Sequence, residues 1–192
     1  KELKSLGKKI TAGTSIHHLL FDETDIKNYR TFFKLRPPLR SNSDKLFLLQ
    51  NIKDSTLDTI SSFHLPQDEE SKRLPYEKAA FGAIGLQTLL PACLKLVNDK
   101  IIDLPQLFRK ISLNPAKILN IKSGILEEGY FADLVLFDPN KPLLIDRFNL
   151  LSKAKNTPFD GYQLFGKVLK TFVGGEEIYK SSNINDTWYF KN

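Results

Sequence analysis

The stretch LDTISSFHLPQD at residues 57–68 decides how the first half of the chain is interpreted. Residues 57–61, with Leu, Thr and Ile, predict a short strand that runs out into a loop containing Pro66. Upstream, residues 10–16 (ITAGTSI) predict another strand, and residues 44–53 predict a helix capped by Ser43. A strand, a helix and a second strand form the unit of a parallel sheet, so the sequence predicts the α/β class.

The second half changes from helical to β patterns near residue 120. The later predicted elements are helices over 84–98, 104–111 and 115–119, a strand over 133–138, and a hairpin over 166–179 that turns at Gly174-Gly175. We therefore expect an α/β part over residues 1–120, a β part over 121–180, and an extension over 181–192 in which Trp188 is either docked or disordered. Only two strands with their helices would leave apolar sheet faces uncovered, so the chain reads as an incomplete domain.

Composition excludes several classes of protein. The chain has 192 residues, is 41% hydrophobic and carries a net charge of +6, but its lysines are spread among acids, so no nucleic-acid surface is expected. The single cysteine, Cys93, excludes an internal disulfide and lies in an apolar helix where a thiolate is disfavoured. No apolar run approaches the roughly 20 residues that cross a bilayer. A cytoplasmic location without membrane contact is expected.

The three histidines, His17, His18 and His64, do not form a metal-binding pattern. His17 and His18 are adjacent at the end of a predicted strand and would point to opposite faces, so we expect one to be buried and hydrogen-bonded and the other exposed. No HxH, HExxH or cysteine pair is present, and no metal ligands are predicted in this chain. Residues 82–85 (GAIG) either hold an anion with their N–H groups or simply lead into the next helix.

Eight short segments share their order and spacing with one known family. They are SIHHLL (15–20), KLRPPLRS (34–41), TLDTI (56–60) followed by His64-x-Pro66, FGAIGLQTLLP (81–91), NPAKIL (114–119), ADLVLFDP (132–139) after Gly129, NTPFDG (156–161) and GKV (166–168). Together they resemble the C-terminal half of a dihydroorotase of the amidohydrolase superfamily, over residues 10–180.

The resemblance implies a (β/α)8 barrel with a small β-sandwich. This chain would supply the last two barrel strands with their helices, and part of the sandwich. The family interconverts carbamoyl-aspartate and dihydroorotate in pyrimidine synthesis with zinc. Its metal ligands would lie in the N-terminal half, so zinc is expected for the full-length family and none for this chain alone.

The departure with the largest consequence is Phe63. It stands where the family's D-H-x-P motif has the Asp that handles the proton, and a phenyl ring can neither ligate zinc nor accept a proton. Loss of such a group removes a contribution of about 10²–10⁴-fold. No catalytic residue is therefore assigned, and the resemblance implies an impaired or inactive enzyme.

The substrate-binding residues that the resemblance implies also depart from the family. Arg36 replaces an Asn that contacts the pyrimidine, Gln67 replaces a second His, and Ala80 stands where Pro is common. Gly82 and His64 match the family. Gln67 can still donate a hydrogen bond and Arg36 can still pair with a carboxylate, while His64 has a structural role or a catalytic one.

Three functional hypotheses follow from the sequence. The first is a dihydroorotase-like cyclic amidohydrolase, impaired in this chain, that pairs with the N-terminal half of the same protein and forms a homodimer. The second is a non-catalytic subunit that scaffolds aspartate transcarbamoylase or another partner. The third is a site changed to accept another cyclic amide or ureide.

Overall fold

The computed structural model describes residues 2–181, so the expected extension beyond Ser181, with Trp188, lies outside the described residues. The described residues group into two compact units. One comprises residues up to 89 together with 145–162, and the other comprises 90–144 together with residues from 163 onward. The domain bounds expected from the sequence remain a prediction.

The first unit carries the parallel strands. Its elements are α1 (Glu2–Ser5), β1 (Gly13–Ser15), α2 (Ile16–Leu20), α3 (Asn42–Lys53), β2 (Thr59–Ser61), α4 (Glu69–Arg73), and 3₁₀ turns at Glu23–Ile26, Thr31–Phe33 and Arg147–Asn149. β1 and β2 pair in parallel, with Gly13 opposite Thr59 and Ser15 opposite Ser61. The predicted parallel α/β unit is confirmed, although both strands are shorter than predicted.

Helix α3 begins earlier than the sequence predicts. Ser41, and not Ser43, is the N-cap, since its Oγ accepts a hydrogen bond from the Asp44 backbone N–H at 3.3 Å. Both serines precede the same apolar run, so local composition alone does not distinguish them. The chain then leads through Asp54 to β2.

The histidine pair lies in a helix and not at the end of a strand. Ser15 caps α2 by accepting the His18 N–H, so the chain turns helical directly after β1. His17 is fully buried and has no hydrogen-bond partner for either ring nitrogen among the described residues. His18 is half-buried, and its Nδ1 lies 2.6 Å from Ser15 Oγ and its Nε2 2.9 Å from the Pro37 carbonyl oxygen. The expectation that the buried histidine is the hydrogen-bonded one was therefore wrong.

The second unit is built from helices and an antiparallel sheet. Its elements are α5 (Leu89–Asn98, whose first residue belongs to the first unit), α6 (Leu104–Phe108), a π-helical turn (Arg109–Leu113), α7 (Asn114–Leu119), β3 (Leu134–Leu144), β4 (Gln163–Val173) and β5 (Glu176–Lys180). The sheet order is β3-β4-β5, and β4 and β5 form the predicted hairpin. Gly174 and Gly175 both have positive φ, +57° and +87°, which glycine adopts at low cost.

α6 starts where its sequence signal predicts, but the predicted helix 104–111 ends at Phe108 and is followed by the π-helical turn Arg109–Leu113. Asp103 forms a capping box with Gln106 at the start of α6, and Pro105 lies in its first turn, as predicted. Cys93 is fully buried in α5, and burial raises the pKa of its thiol. α5 begins at Leu89, later than the predicted residue 84. No helix within residues 2–181 is long and apolar enough to cross a membrane.

Candidate functional site

Phe63 begins the loop that follows β2. Its φ is +48°, its side chain is 40% exposed, and its ring meets the His18 ring edge-on with the centroids 6.2 Å apart. A positive φ is rare for aromatic residues and is several-fold more common for Asp and Asn. The backbone at this position therefore suits an aspartate better than the phenylalanine that occupies it.

His64 fixes this loop to the segment that leads into α5. Its Nδ1 accepts hydrogen bonds from the N–H groups of Gly85 at 3.1 Å and Leu86 at 3.4 Å. An accepting Nδ1 requires the neutral ring to carry its proton on Nε2. In addition, the Leu65 N–H donates to the Ala83 carbonyl at 2.7 Å. The His64 Nδ1 is thus engaged in hydrogen bonds that hold the loop in place.

The N–H groups of residues 82–85 are mostly used within the protein. Gly82 donates to the Lys34 carbonyl at 2.9 Å, and Ile84 donates to the Asn156 carbonyl at 3.1 Å. Gly85 donates to His64. These bonds favour the interpretation of the loop as an ordinary entry into α5.

Asn156 joins the two loops that carry the expected substrate-binding residues. It is 2% exposed, and its Nδ2 donates to the carbonyls of Leu65 at 3.3 Å and Gly82 at 3.1 Å. Its Oδ1 accepts the Gln67 N–H at 3.2 Å. Sequence analysis included Asn156 in a family segment but gave it no role, because its partners lie 74 to 91 residues away along the chain.

Arg36 and the loop 80–82 meet around the ring of Phe81. The Arg36 guanidinium lies 5.7 Å from the ring centroid, and the Lys34 Nζ lies 4.6 Å from it. Arg36 is exposed, so its charge can reach a ligand. The N–H groups of Ala80 and Gly82 donate to Ser71 and Lys34, so a substrate would meet other atoms of this loop.

Lys72 is a buried ammonium group behind this loop. Its side chain donates to the carbonyl oxygens of Thr31 at 2.8 Å and Ala80 at 2.7 Å, and the residue is 4% exposed. Burial, and then repulsion from Lys34, lower the pKa of Lys72 to about 8. Within the described residues no carboxylate pairs with it, and two backbone carbonyl dipoles stabilise its charge.

The low pKa of Lys72 predicts a pH dependence on the alkaline side. Between its folded pKa of about 8 and its ordinary 10.5, the unfolded chain binds more protons than the folded chain, so this group makes the unfolding free energy rise with pH. We expect a Lys72→Met variant to lack that rise. Urea unfolding of both proteins from pH 7.5 to 10 measures it as a difference.

The difference between the two proteins is the informative quantity, because Cys93 acts in the opposite sense. Its raised pKa makes the unfolding free energy fall above the ordinary thiol pKa in both proteins. A Lys78→Met variant, at an exposed lysine nearby in sequence, should keep the wild-type profile. Parallel profiles for Lys72→Met and wild type would contradict the assignment.

Four of the five predicted site residues are connected through the loop that contains Ala80 and Gly82. Arg36 lies beside the loop that contains Ala80 and Gly82, and Gln67 is tied to Gly82 through Asn156. The His64 Nδ1 bonds to the backbone instead. Their contacts with a substrate remain predictions. Among residues 2–181, no three His, Cys, Asp or Glu side chains lie close enough together to hold a metal ion.

Solved structures that share this fold include cyclic amidohydrolases. The L-hydantoinase (dihydropyrimidinase) from Arthrobacter aurescens superposes with a TM-score of 0.89 and 28% identity, over 93% of this chain and 41% of that protein. The dihydropyrimidinase from Brevibacillus agri NCHU1002 shares the fold with a TM-score of 0.86 and 24% identity, over the same shares of the two chains. The fold is therefore an α/β fold of the hydantoinase type.

Sequence comparison gives the family. The pattern of the amidohydrolase family matches residues 79–178, more than half of the chain. Curated dihydroorotases are similar along nearly all of it: that of Ehrlichia canis is 37% identical over 93% of this chain, and that of Syntrophus aciditrophicus is 40% identical over 94%. The chain belongs to the amidohydrolase family, and the resemblance to dihydroorotases is confirmed. It spans 40% and 42% of the length of these two relatives.

Proposed function

We propose that this chain is part of a dihydroorotase-like cyclic amidohydrolase that interconverts carbamoyl-aspartate and dihydroorotate. The observation that carries the proposal is the similarity to dihydroorotases over more than nine tenths of the chain. β1 and β2 would be the last two strands of a (β/α)8 barrel, and β3 to β5 part of a small β-sandwich. The N-terminal half of the same protein would supply the other strands.

Among residues 2–181, no group of three His, Cys, Asp or Glu side chains could hold a zinc ion by itself. We therefore assign no catalytic step to a metal in this chain, and the family's zinc would be held by the N-terminal half. What this chain contributes are groups that bind and orient the substrate. Arg36 can pair with a carboxylate, and Gln67 can donate from a half-buried position.

Phe63 makes the proposed enzyme impaired. In the full-length protein with zinc, we expect Phe63→Asp to raise dihydroorotate hydrolysis by about 10²-fold or more, because a carboxylate at this position can take the proton. The φ of +48° favours Asp over Phe, so the variant should fold at least as stably. Steady-state hydrolysis of dihydroorotate measures the effect.

The matched control is Phe47→Asp, which places the same carboxylate at an exposed phenylalanine of α3. It should leave the hydrolysis rate unchanged. Wild-type protein that hydrolyses dihydroorotate at the rate of ordinary dihydroorotases would show that Phe63 does not impair the enzyme. Equal rates for wild type and Phe63→Asp, both low, would place the defect elsewhere.

The second candidate function is a non-catalytic subunit that scaffolds aspartate transcarbamoylase or another partner. Phe63 favours it, because the loop keeps its hydrogen bonds to residues 83–86 without a catalytic carboxylate. The net charge of +6 suits an acidic partner surface. Co-purification with the transcarbamoylase tests this function, and a stable monomer that binds no partner would contradict it.

Three further proposals concern substrate, assembly and location. The L-hydantoinase with a similar fold supports another cyclic amide or ureide as the substrate, which profiling against dihydropyrimidines and hydantoins would test.

A homodimer is proposed from the family resemblance, and sedimentation tests it. A cytoplasmic location is also proposed, and cell fractionation tests it.

A further inference from the structure

A cavity of about 640 Å³ lies in the first unit, beside α4 and the 3₁₀ turns at Thr31–Phe33 and Arg147–Asn149. Its volume falls in the range of roughly 300–1,000 Å³ that small-molecule sites occupy. Five cationic residues line it: Lys72, Arg73, Arg147, Lys153 and Lys155. Of the five residues expected to bind the amidohydrolase substrate, Gln67 alone is among its lining residues. Asn156, which joins the two loops of the expected substrate site, also lines the cavity, so the cavity adjoins that site, but none of its five cations belongs to it.

Two acidic residues also line the cavity, and both already have partners in the protein. Glu69 pairs with Arg73 at 2.7 Å, and Asp68 caps α4 by accepting the Ser71 N–H at 2.8 Å. The remaining cations are Lys72, Lys153 and Lys155, together with Arg147. An excess of positive charge thus faces the cavity.

Contacts with two aromatic rings orient the Arg147 guanidinium. Its guanidinium carbon lies 5.2 Å from the centroid of the Phe32 ring and 4.6 Å from that of Phe148. Its Nε forms an ion pair with Asp160, whose Oδ2 lies 3.7 Å away, beyond hydrogen-bonding distance. The buried Nε has no hydrogen-bond partner among the described residues. Two aromatic contacts therefore orient a planar fork that matches the oxygens of a carboxylate or phosphate.

The three lysines of the lining have no carboxylate partner within the described part of the chain. Lys72 donates to two backbone carbonyls, and Lys155 donates to the Leu150 carbonyl at 2.7 Å. Lys153 is exposed and makes no side-chain contact of this kind with a described residue. A buried ammonium without a counter-charge is costly, so an oxyanion in the cavity would be stabilised by Lys72 as well as by Arg147.

We propose that this cavity binds a small molecule with a terminal oxyanion, a carboxylate or a phosphate monoester. Arg147 is the bidentate anchor, and Lys72 and Lys153 supply further positive charge. The proposal is independent of the amidohydrolase reaction, because it rests on residues to which that reaction gives no role.

The test is a calorimetric titration of the intact chain with phenyl phosphate, benzoate and benzamide, which share one ring and differ in charge. At least one anion is expected to bind saturably, with an affinity that falls as salt is added, and neutral benzamide is expected not to bind. The tighter of the two anions identifies the oxyanion that the cavity prefers.

Variants assign the binding to this cavity. Arg147→Gln should lower the affinity for the anion about tenfold or more, and Lys153→Gln should lower it about threefold. Arg147→Lys keeps the charge but lacks the planar guanidinium. Its affinity for the anion should lie between those of wild type and Arg147→Gln. Lys8→Gln removes an exposed lysine that does not line the cavity and should bind as wild type does.

The proposal is overturned if neither anion binds saturably up to about 10 mM, a limit weaker than ordinary metabolite affinities. Equal binding of benzamide, or a loss with Lys8→Gln as large as that with Arg147→Gln, would also overturn it. Should Arg147→Gln unfold, Lys153→Gln decides, because this exposed side chain makes no hydrogen bond or ion pair with a described residue.

Discussion

Lowering the pH from 6.5 toward 3 is expected to reduce the unfolding free energy by about 4–5 kcal/mol through His17 alone. Burial, and then the neighbouring charge of His18, lower the pKa of His17 to about 3. Below pH 6.5 the unfolded chain binds a proton on His17, whereas the folded chain leaves this ring neutral. The stabilising contribution is thus complete above pH 6.5 and is lost as the pH falls.

The comparison that measures this effect is urea unfolding of wild type and His17→Leu from pH 7 to pH 3.5. The ring of His17 packs 5.4 Å from that of Phe159, so a leucine fills an apolar space and removes two nitrogens without hydrogen-bond partners among the described residues. The variant should match or exceed wild-type stability at pH 7 and lose less of it in acid. The same acid slope in both proteins would show that His17 is not the responsible group.

Replacing Asn156 by alanine is expected to lower the unfolding free energy by about 3–5 kcal/mol. The change deletes two donated hydrogen bonds and one accepted bond, and it leaves the carbonyls of Leu65 and Gly82 and the N–H of Gln67 without that partner. Because Asn156 is 2% exposed, water cannot replace the amide without rearrangement. Chemical denaturation at pH 7 measures the loss.

Two further variants test whether the loss of stability comes from the hydrogen bonds of Asn156. Asn149→Ala removes an exposed amide that makes one side-chain hydrogen bond, to Asp146, and should cost about 0.5 kcal/mol or less. Asn156→Asp keeps the acceptor for Gln67 but turns a carboxylate toward two carbonyl oxygens, so it should be least stable at neutral pH and recover when protonated. An Asn156→Ala loss no larger than that of Asn149→Ala would show that the loops do not depend on Asn156.

Features governed by local rules could be predicted from the sequence. The Asp103 cap, the turn at Gly174-Gly175 and the parallel pairing of β1 with β2 each follow from short patterns. The histidine pair was misassigned because the Ser15 cap overrides the strand pattern that precedes it. Local signals compete at such a junction, and hydrogen bonding decides between them.

The candidate site and the anion cavity both depend on contacts that no local pattern contains. The amide of Asn156 joins loops far apart in the chain, and Arg147 is oriented by a phenylalanine more than a hundred residues earlier as well as by its neighbour. The family resemblance predicts Arg36, Gln67 and Gly82 as substrate-binding residues. It could not show that Asn156 holds two of those loops together, because a side chain's partners emerge only with the fold.

The left-handed backbone at Phe63 has a practical consequence for engineering. Glycine, asparagine and aspartate all accept a φ of +48° more readily than phenylalanine, so a set of variants at this position can be made without rebuilding the neighbouring loops. Within that set the backbone conformation stays constant while the chemical group changes. Differences in rate or binding across the set would then report the side chain alone.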